Sequence, residues 1–423
     1  MLNAKILALC TFCLIYILFI IFPHKRTYAA IAGVVILLAT LSLSLKQAFF
    51  AINWNVMGIF VGTLLVAEHF IESRVPAYLA EIIVNKSKNT KWAILFICAL
   101  TGFISAFVEN VATVLIVAPI ALALAEKMKL NPVKMMIGIA ISSNLQGAAT
   151  LIGDPPSMLL AGYAKMNFLD FFVYNGKLSI FFAVEIGALF SFIVLYIIYR
   201  EFKSEVSVIK LEKVQSWFPT ILLTILIVLL AFSSFFDTEF SYLAGTLCMV
   251  AGIISILWEK FVNRISLRKR LKHLDWDTTI FLLCIFILVG SMTINGWIDT
   301  ISQILAGVIG NDIMLAFIIL VASSVLFSAF VDNVPFLAAM LPVCINLAQS
   351  LNIEPALMLF GLLIGASLGG NITPIGASAN IVACGLLKKH GHTIKFMEFV
   401  KIGFPFTITA VTVGAFFVWL IWK

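Results

Sequence analysis

The sequence predicts an all-α polytopic membrane protein. It reads as two inverted repeats, each of five transmembrane helices plus one re-entrant hairpin, with discontinuous helices at the midplane. Three observations predict this. Of the 423 residues, 62% are hydrophobic and 12% charged, against about half and a quarter in a soluble domain. The apolar residues come in blocks of roughly 17 to 25, the length of a bilayer-crossing helix. One set of motifs also occurs twice at a constant spacing. This composition excludes a soluble globular domain, a disordered chain, a coiled coil and an outer-membrane barrel.

Ten full spans are expected at about 4–22, 27–45, 51–71, 132–163, 174–199, 216–235, 240–258, 277–297, 354–388 and 397–422. The first has one Lys before it and His24-Lys25-Arg26 after it. That order is wrong for a cleaved signal peptide, so the run reads as a retained helix. The stretches 92–126 and 312–350 each join two apolar legs through a very short polar break, Glu109-Asn110 and Asp332-Asn333. A loop that reaches water carries more polar residues, so both read as hairpins whose tips stop inside the membrane. As one helix, 132–163 would be about 46 Å long, and its middle is SSNLQGAATLIGDPPS; the middle of 354–388 is GASLGGNITPIGASAN. Gly and Pro break helices, so both spans are expected to unwind at their centres. Segments 75–84 and 298–308 read as interfacial helices, and Trp54 and Trp276 as interface anchors. Glu68 and His69 fall near a span end and read as interfacial. Glu185 lies inside an apolar span without a repeat partner, where a structural hydrogen bond and a function fit equally. All seven cysteines lie in apolar stretches and read as small buried hydrophobes.

SAFVENV with Pro119 matches SAFVDNV with Pro342 at an offset of 223, and residues 142–162 match 365–385 at the same offset. Residues 1–200 form repeat 1, 201–215 a cytoplasmic linker and 216–423 repeat 2, within one membrane domain. Five spans per repeat is odd, so the second repeat is inverted, the architecture of secondary transporters. Alternating sides along the chain places 23 basic residues on one side and 5 on the other. The richer side is cytoplasmic. Loops holding Lys86 and Arg268 then face the cytoplasm, while Asn311, Lys423 and both termini are extracytoplasmic.

The elements SAFVENVATVLIVAPI, SNLQGAATLIGDPPS, SAFVDNVPFLAAMLP and SLGGNITPIGASANIVACG resemble the ion transporter superfamily over roughly 27–420. The most similar branch is the arsenite-pump and sodium/proton-antiporter family, which includes the melanosomal P protein and shares a citrate-transporter-like domain. The resemblance implies a scaffold, a mobile transport region, and a substrate site between two hairpin tips and two unwound centres. Matching residues here are Glu109, Asn110, Asp332 and Asn333 at the tips, and Thr150, Gly153, Asp154, Asn371, Thr373, Pro374, Gly376 and Ser378 in the centres. The tips read Glu-Asn-Val and Asp-Asn-Val where dicarboxylate carriers have Ser-Asn-Thr. No Arg or Lys lies inside a hairpin or centre, which disfavours a citrate-type substrate. Ser157 departs from the P-protein pattern, which has Asn there; Asn380 holds that position in the second repeat.

Physical chemistry agrees with this assignment. Half-helix ends at membrane depth offer unpaired N–H groups to anions and unpaired carbonyls to cations. Glu109 and Asp332 are acidic at symmetric positions and Asp154 adds a third carboxylate, so proton or sodium coupling is one reading; helix capping at the tips is the other. The expected function is secondary active transport of a small inorganic ion or oxyanion, as arsenite-type efflux or cation/proton antiport, with a di- or tricarboxylate carrier as the alternative. A passive channel is a more distant alternative. So is an aspartyl intramembrane protease: Gly153-Asp154 and Pro355-Ala356-Leu357 are shared elements, but residue 151 is Leu and no Tyr precedes an Asp. No zinc, nucleotide or nucleophile motif appears, so no enzyme activity, resident metal or cofactor is expected beyond Na+ or H+ as coupling ion. Expected partners are the lipid bilayer of the cell membrane and a small ion, not nucleic acid; a homodimer and a separate ATPase subunit stay open.

Overall fold

A computed structural model describes residues 2–205, 212–262, 272, 274–310 and 312–423. Arg268, Asn311 and the middle of the 201–215 linker lie outside the described residues. The first half contains α1 (Leu2–Ile21), α2 (Arg26–Ala39), α3 (Leu45–Ala51), α4 (Trp54–Glu72), α5 (Val75–Lys86), α6 (Thr90–Ser105), α7 (Asn110–Lys127), α8 (Val133–Gly147), α9 (Pro155–Ala164) and α10 (Ile180–Ile198). The second contains α11 (Phe218–Ser233), α12 (Leu243–Phe261), α13 (Trp276–Ile294), α14 (Trp297–Ile309), α15 (Ile313–Ser328), α16 (Asn333–Ser350), α17 (Pro355–Gly369), α18 (Ser378–Lys389) and α19 (Phe396–Trp422). Among the described residues nine helices are long and apolar enough to cross a membrane, so the chain is a multi-pass membrane protein.

Helix starts repeat with the sequence. Asn53 accepts from Val56 N at 3.1 Å to begin α4, and Asp275 from Thr278 N at 3.0 Å to begin α13. Asn89 caps α6 and Asp312 caps α15, 223 positions apart, against 222 for Asn53 and Asp275. The first hairpin leg has 16 residues in both halves and the first half of each broken helix has 15. At 1.5 Å per residue both reach about 22–24 Å, short of a hydrocarbon core about 30 Å thick. These legs and half-helices are therefore too short to cross the core alone, whereas the second legs, α7 and α16, are each 18 residues long and long enough to cross. Pro119 and Pro342 lie inside α7 and α16 at equivalent positions.

Small residues let the helices approach. Gly58 and Gly62 of α4, spaced one turn apart, pack on the backbone of Gly245 and Cys248 in α12. A Cβ on Gly187 of α10 would stand 2.8 Å from the Ala410 carbonyl of α19, and one on Gly414 would stand 3.1 Å from the Ala183 carbonyl. Gly187 and Ala410 are themselves counterparts at the 223 offset, so their contact lies on a local two-fold axis between the halves.

Two expected span boundaries need correction. One short ribbon joins the helices: Val173-Tyr174 pairs antiparallel with Lys177-Leu178. Asn175 and Gly176 between them have φ of 48° and 76°, the positive values that a tight hairpin turn needs. The span expected from 174 therefore starts at Ile180. The ribbon is anchored by Lys177 and Asn175 on Glu354 and by Trp422 Nε1 on the Leu178 carbonyl. The span expected at 27–45 ends at Ala39, because Ser44 and Gln47 form a reciprocal cap that starts α3 anew. His69, in the last turn of α4, is buried within the protein, with Nδ1 3.0 Å from Ser255 Oγ and Nε2 3.8 Å from Glu259.

Candidate functional site

Each tip carboxylate caps the helix that follows it. Glu109 accepts from Ala112 N at 2.9 Å at the start of α7, and Asp332 from Val334 N at 3.0 Å at the start of α16. Asp332 also forms an ion pair with Arg26 at the start of α2. Sequence reasoning missed that contact. Arg26 flanks a span and reads there only as a topology charge, and no local pattern links it to a residue 306 positions away.

The two unwound centres are built alike. Thr150 donates its hydroxyl to the Ala106 carbonyl of the first tip, and Thr373 donates to Ala329 of the second. Gly153 N donates to Thr150 O and Gly376 N to Thr373 O, each at 3.4 Å. A Cβ on Gly376 would come within 2.9 Å of the Ser328 and Ala329 carbonyls, and Gly153 approaches Ser105 O in the same way. Only glycine lets the centre lie directly on the tip. Ser157 Oγ donates to the Gly147 carbonyl at 3.3 Å, and Asn380 Nδ2 to Gly370 at 2.9 Å. Different side chains thus serve the same frayed carbonyl in the two halves, which accounts for Ser157. Both threonine hydroxyls are held as staples between centre and tip.

The halves meet through amides. Asn110 accepts from Ser105 Oγ at 2.7 Å and donates to Asn144 Oδ1 at 3.2 Å. Asn144 donates to the Ser367 carbonyl at 2.9 Å and to Asn371 Oδ1 at 3.1 Å. Asn371 then donates to the Ile141 carbonyl at 3.2 Å. Residues 144 and 367 are repeat counterparts 223 apart, so the local two-fold axis passes between them. The structure therefore joins Asn110 of one tip to Asn371 of the opposite centre, through Asn144. Asn144 was not among the predicted site residues. Its only signal is the polar run Ser142-Ser143-Asn144 in an otherwise apolar helix.

Asp154 is 1% exposed and caps α9, accepting from Ser157 N at 2.9 Å, while its Oδ2 has no partner. Ser367 Oγ and Asn380 Oδ1 are likewise buried and unpartnered. Among the described residues neither Glu109 nor Asp154 has a basic partner. Asn333 is buried at the first position of α16. Pro374 and Ser378 are half-buried beside exposed Ile375, whereas residues 148–161 around the first break are buried throughout. α9 packs on α16 and α18 on α7, so each broken helix covers the other half's hairpin. Among the described residues no three His, Cys, Asp or Glu side chains gather as a metal site.

Known proteins share this plan. The chain is similar to a 46 kDa membrane protein of Mycobacterium leprae, at 26% identity over 98% of each chain. It is similar to the P protein of Mus musculus at 28% identity, over 95% of this chain and 58% of that one. Two solved structures share the fold. They are the YdaH transporter of Alcanivorax borkumensis (TM-score 0.64, 13% identity, 91% of this chain and 88% of that one) and MtrF of Neisseria gonorrhoeae (TM-score 0.55, 13% identity, 89% and 83%). The profile of the citrate transporter family matches residues 16–365 and 271–423, across both repeats and both broken helices, and the chain belongs to that family of membrane transporters.

Proposed function

We propose that the chain is a secondary active transporter that works by alternating access, is coupled to protons or sodium, and moves a small inorganic ion or oxyanion. Arsenite-type efflux and cation/proton antiport are the two forms of this reading. The observation that carries it is charge balance. Among the described residues Glu109 and Asp154 have no basic partner, and the arginine found at a tip, Arg26, already pairs with Asp332. The polar centre therefore has an excess of negative charge at membrane depth, which is costly unless a cation or proton accompanies it. Asp154 Oδ2 and Asn380 Oδ1, both unpartnered, are oxygen ligands suited to sodium. Asn110, Asn144 and Asn371 offer amides to the hydroxyls of neutral arsenite. The P protein match supports this branch.

A citrate-like carrier is the second reading, favoured by the description of the family profile. A tricarboxylate here would need several bound cations to offset the carboxylates. The two separate in proteoliposomes loaded with a pH-sensitive dye and given sodium, arsenite, chloride and citrate in turn. Proton flux on sodium or arsenite is expected. Flux on citrate alone would overturn the first reading, and flux without saturation or coupling would overturn both.

A further inference from the structure

Glu185 is an acidic side chain at membrane depth that the polar centres do not use. It lies in the second turn of α10, half-buried, and has no basic partner among the described residues. It lines a cavity of about 470 Å³ enclosed by α6, α8, α10 and α19. That volume falls within the roughly 300–1,000 Å³ of small-molecule sites. The walls are mostly apolar and rich in rings, with Phe103, Phe107, Phe181 and Phe192 among them. Phe103 and Leu189 on its lining are 68% and 67% exposed, so the mouth opens sideways on the lipid-facing surface. The inner end reaches Ala106 and Phe107 of the first tip.

The packing beside this cavity differs from its counterpart in the second half for a physical reason. In the second half, Gly365 and Gly369 of α17 let α15 close tightly. A Cβ on Gly369 would stand 2.8 Å from Val325 Cα, and one on Gly365 would stand 2.6 Å from Ser324 Cβ. Their counterparts at the 223 offset are Ser142 and Gln146 of α8, whose side chains wedge against α6 and line the cavity. A carboxylate with the neutral Gln146 amide beside it and no basic partner among the described residues is stabilised by a cation. A hydrated inorganic ion would have to exchange its water for phenyl rings, whereas an organic ammonium gains from those faces.

We propose that this cavity is a lateral binding site for a lipophilic amine. Its ammonium pairs with Glu185, and its apolar body fills the space between Phe103, Phe107, Phe181 and Leu189. The ligand enters from the bilayer and lies against the first hairpin tip without reaching the polar centre.

The test uses the full chain in lipid nanodiscs with radiolabelled dodecylammonium, and with dodecanol and dodecanoate as competitors. Saturable amine binding is expected, with dodecanol and dodecanoate at least tenfold weaker. Glu185→Gln should lower amine affinity at least tenfold and leave dodecanol unchanged, while Ala188→Phe, which fills the cavity, should abolish both. Equal competition by all three probes in the unmodified protein would overturn the proposal and mark a slot for lipid acyl chains. So would absence of saturable binding, or unchanged amine affinity in folded Glu185→Gln. The comparison of probes requires no variant to fold.

Discussion

Replacing Asn144 by Leu keeps the side chain's heavy-atom count and branching and removes three hydrogen bonds, two of them between the halves. It strands Asn110 Nδ2, Asn371 Oδ1 and the Ser367 carbonyl where Asn144 itself is 1% exposed. A buried polar group left unpaired costs about 1–3 kcal/mol. Hydrogen bonds measured inside membranes average about 0.6 kcal/mol, because freed groups find other partners. Three bonds at the membrane value give about 2 kcal/mol, and tight burial raises the expectation to about 2–4 kcal/mol. The control is Ser367→Ala at the counterpart position. It removes a hydroxyl that has no partner and keeps the backbone carbonyl, so it should be near neutral. Thermal unfolding of both variants in one detergent, read by loss of the monodisperse peak, measures the difference. A drop of several degrees is expected for Asn144→Leu alone. Equal melting of the two variants would refute the claim that the amide chain carries the contact.

Glu109→Gln keeps a cap acceptor and loses charge, so it should abolish gradient-driven uptake in proteoliposomes while the protein still elutes as folded; Asp332→Asn also unpairs Arg26, and full uptake in the double variant would leave both carboxylates as caps only. Gly62→Val places a side chain on the Cys248 carbonyl and within 2.6 Å of Met249 N, and should destabilise by about 1–3 kcal/mol or more. Gly307→Ala, with open space around it, should melt close to the unmodified protein. Single cysteines at Lys86 and Lys423 in a cysteine-free background should react with an impermeant reagent from opposite sides, and labelling from the same side would contradict the basic-residue asymmetry.

Much of the plan is readable without coordinates because helix breakage is local chemistry. Gly153-Asp154-Pro155-Pro156 and Thr373-Pro374-Ile375-Gly376 forbid a continuous helix, and the chain unwinds there in both halves. Glu109 and Asp332 announce helix starts for the same reason. Contacts between distant segments are not local. The Arg26–Asp332 pair depends on where α2 ends up beside the second tip. Which of Ser142, Ser143, Asn144 and Gln146 faces the other half depends on the rotation of α8, which three adjacent polar residues leave undetermined. The Asn175-Gly176 turn carries a legible signal that is masked by apolar neighbours continuous with α10.

In the alternating-access cycle proposed above, the amide bridge on the two-fold axis bears on the energetics. Two identical inverted halves would make the inward-open and outward-open forms equivalent by a two-fold rotation in the membrane plane, with equal free energy, each occupied half the time in a symmetric membrane. Asn144 faces Ser367, Ala148 corresponds to Asn371, Asp154 to Ala377 and Ser157 to Asn380, so these halves are not identical where they touch. Each mismatch adds its interaction to one form and not equally to the other. A net difference of about 1.4 kcal/mol is enough to hold ten molecules in one orientation for each in the other. Swapping side chains across the axis would therefore reset which way the unloaded carrier rests.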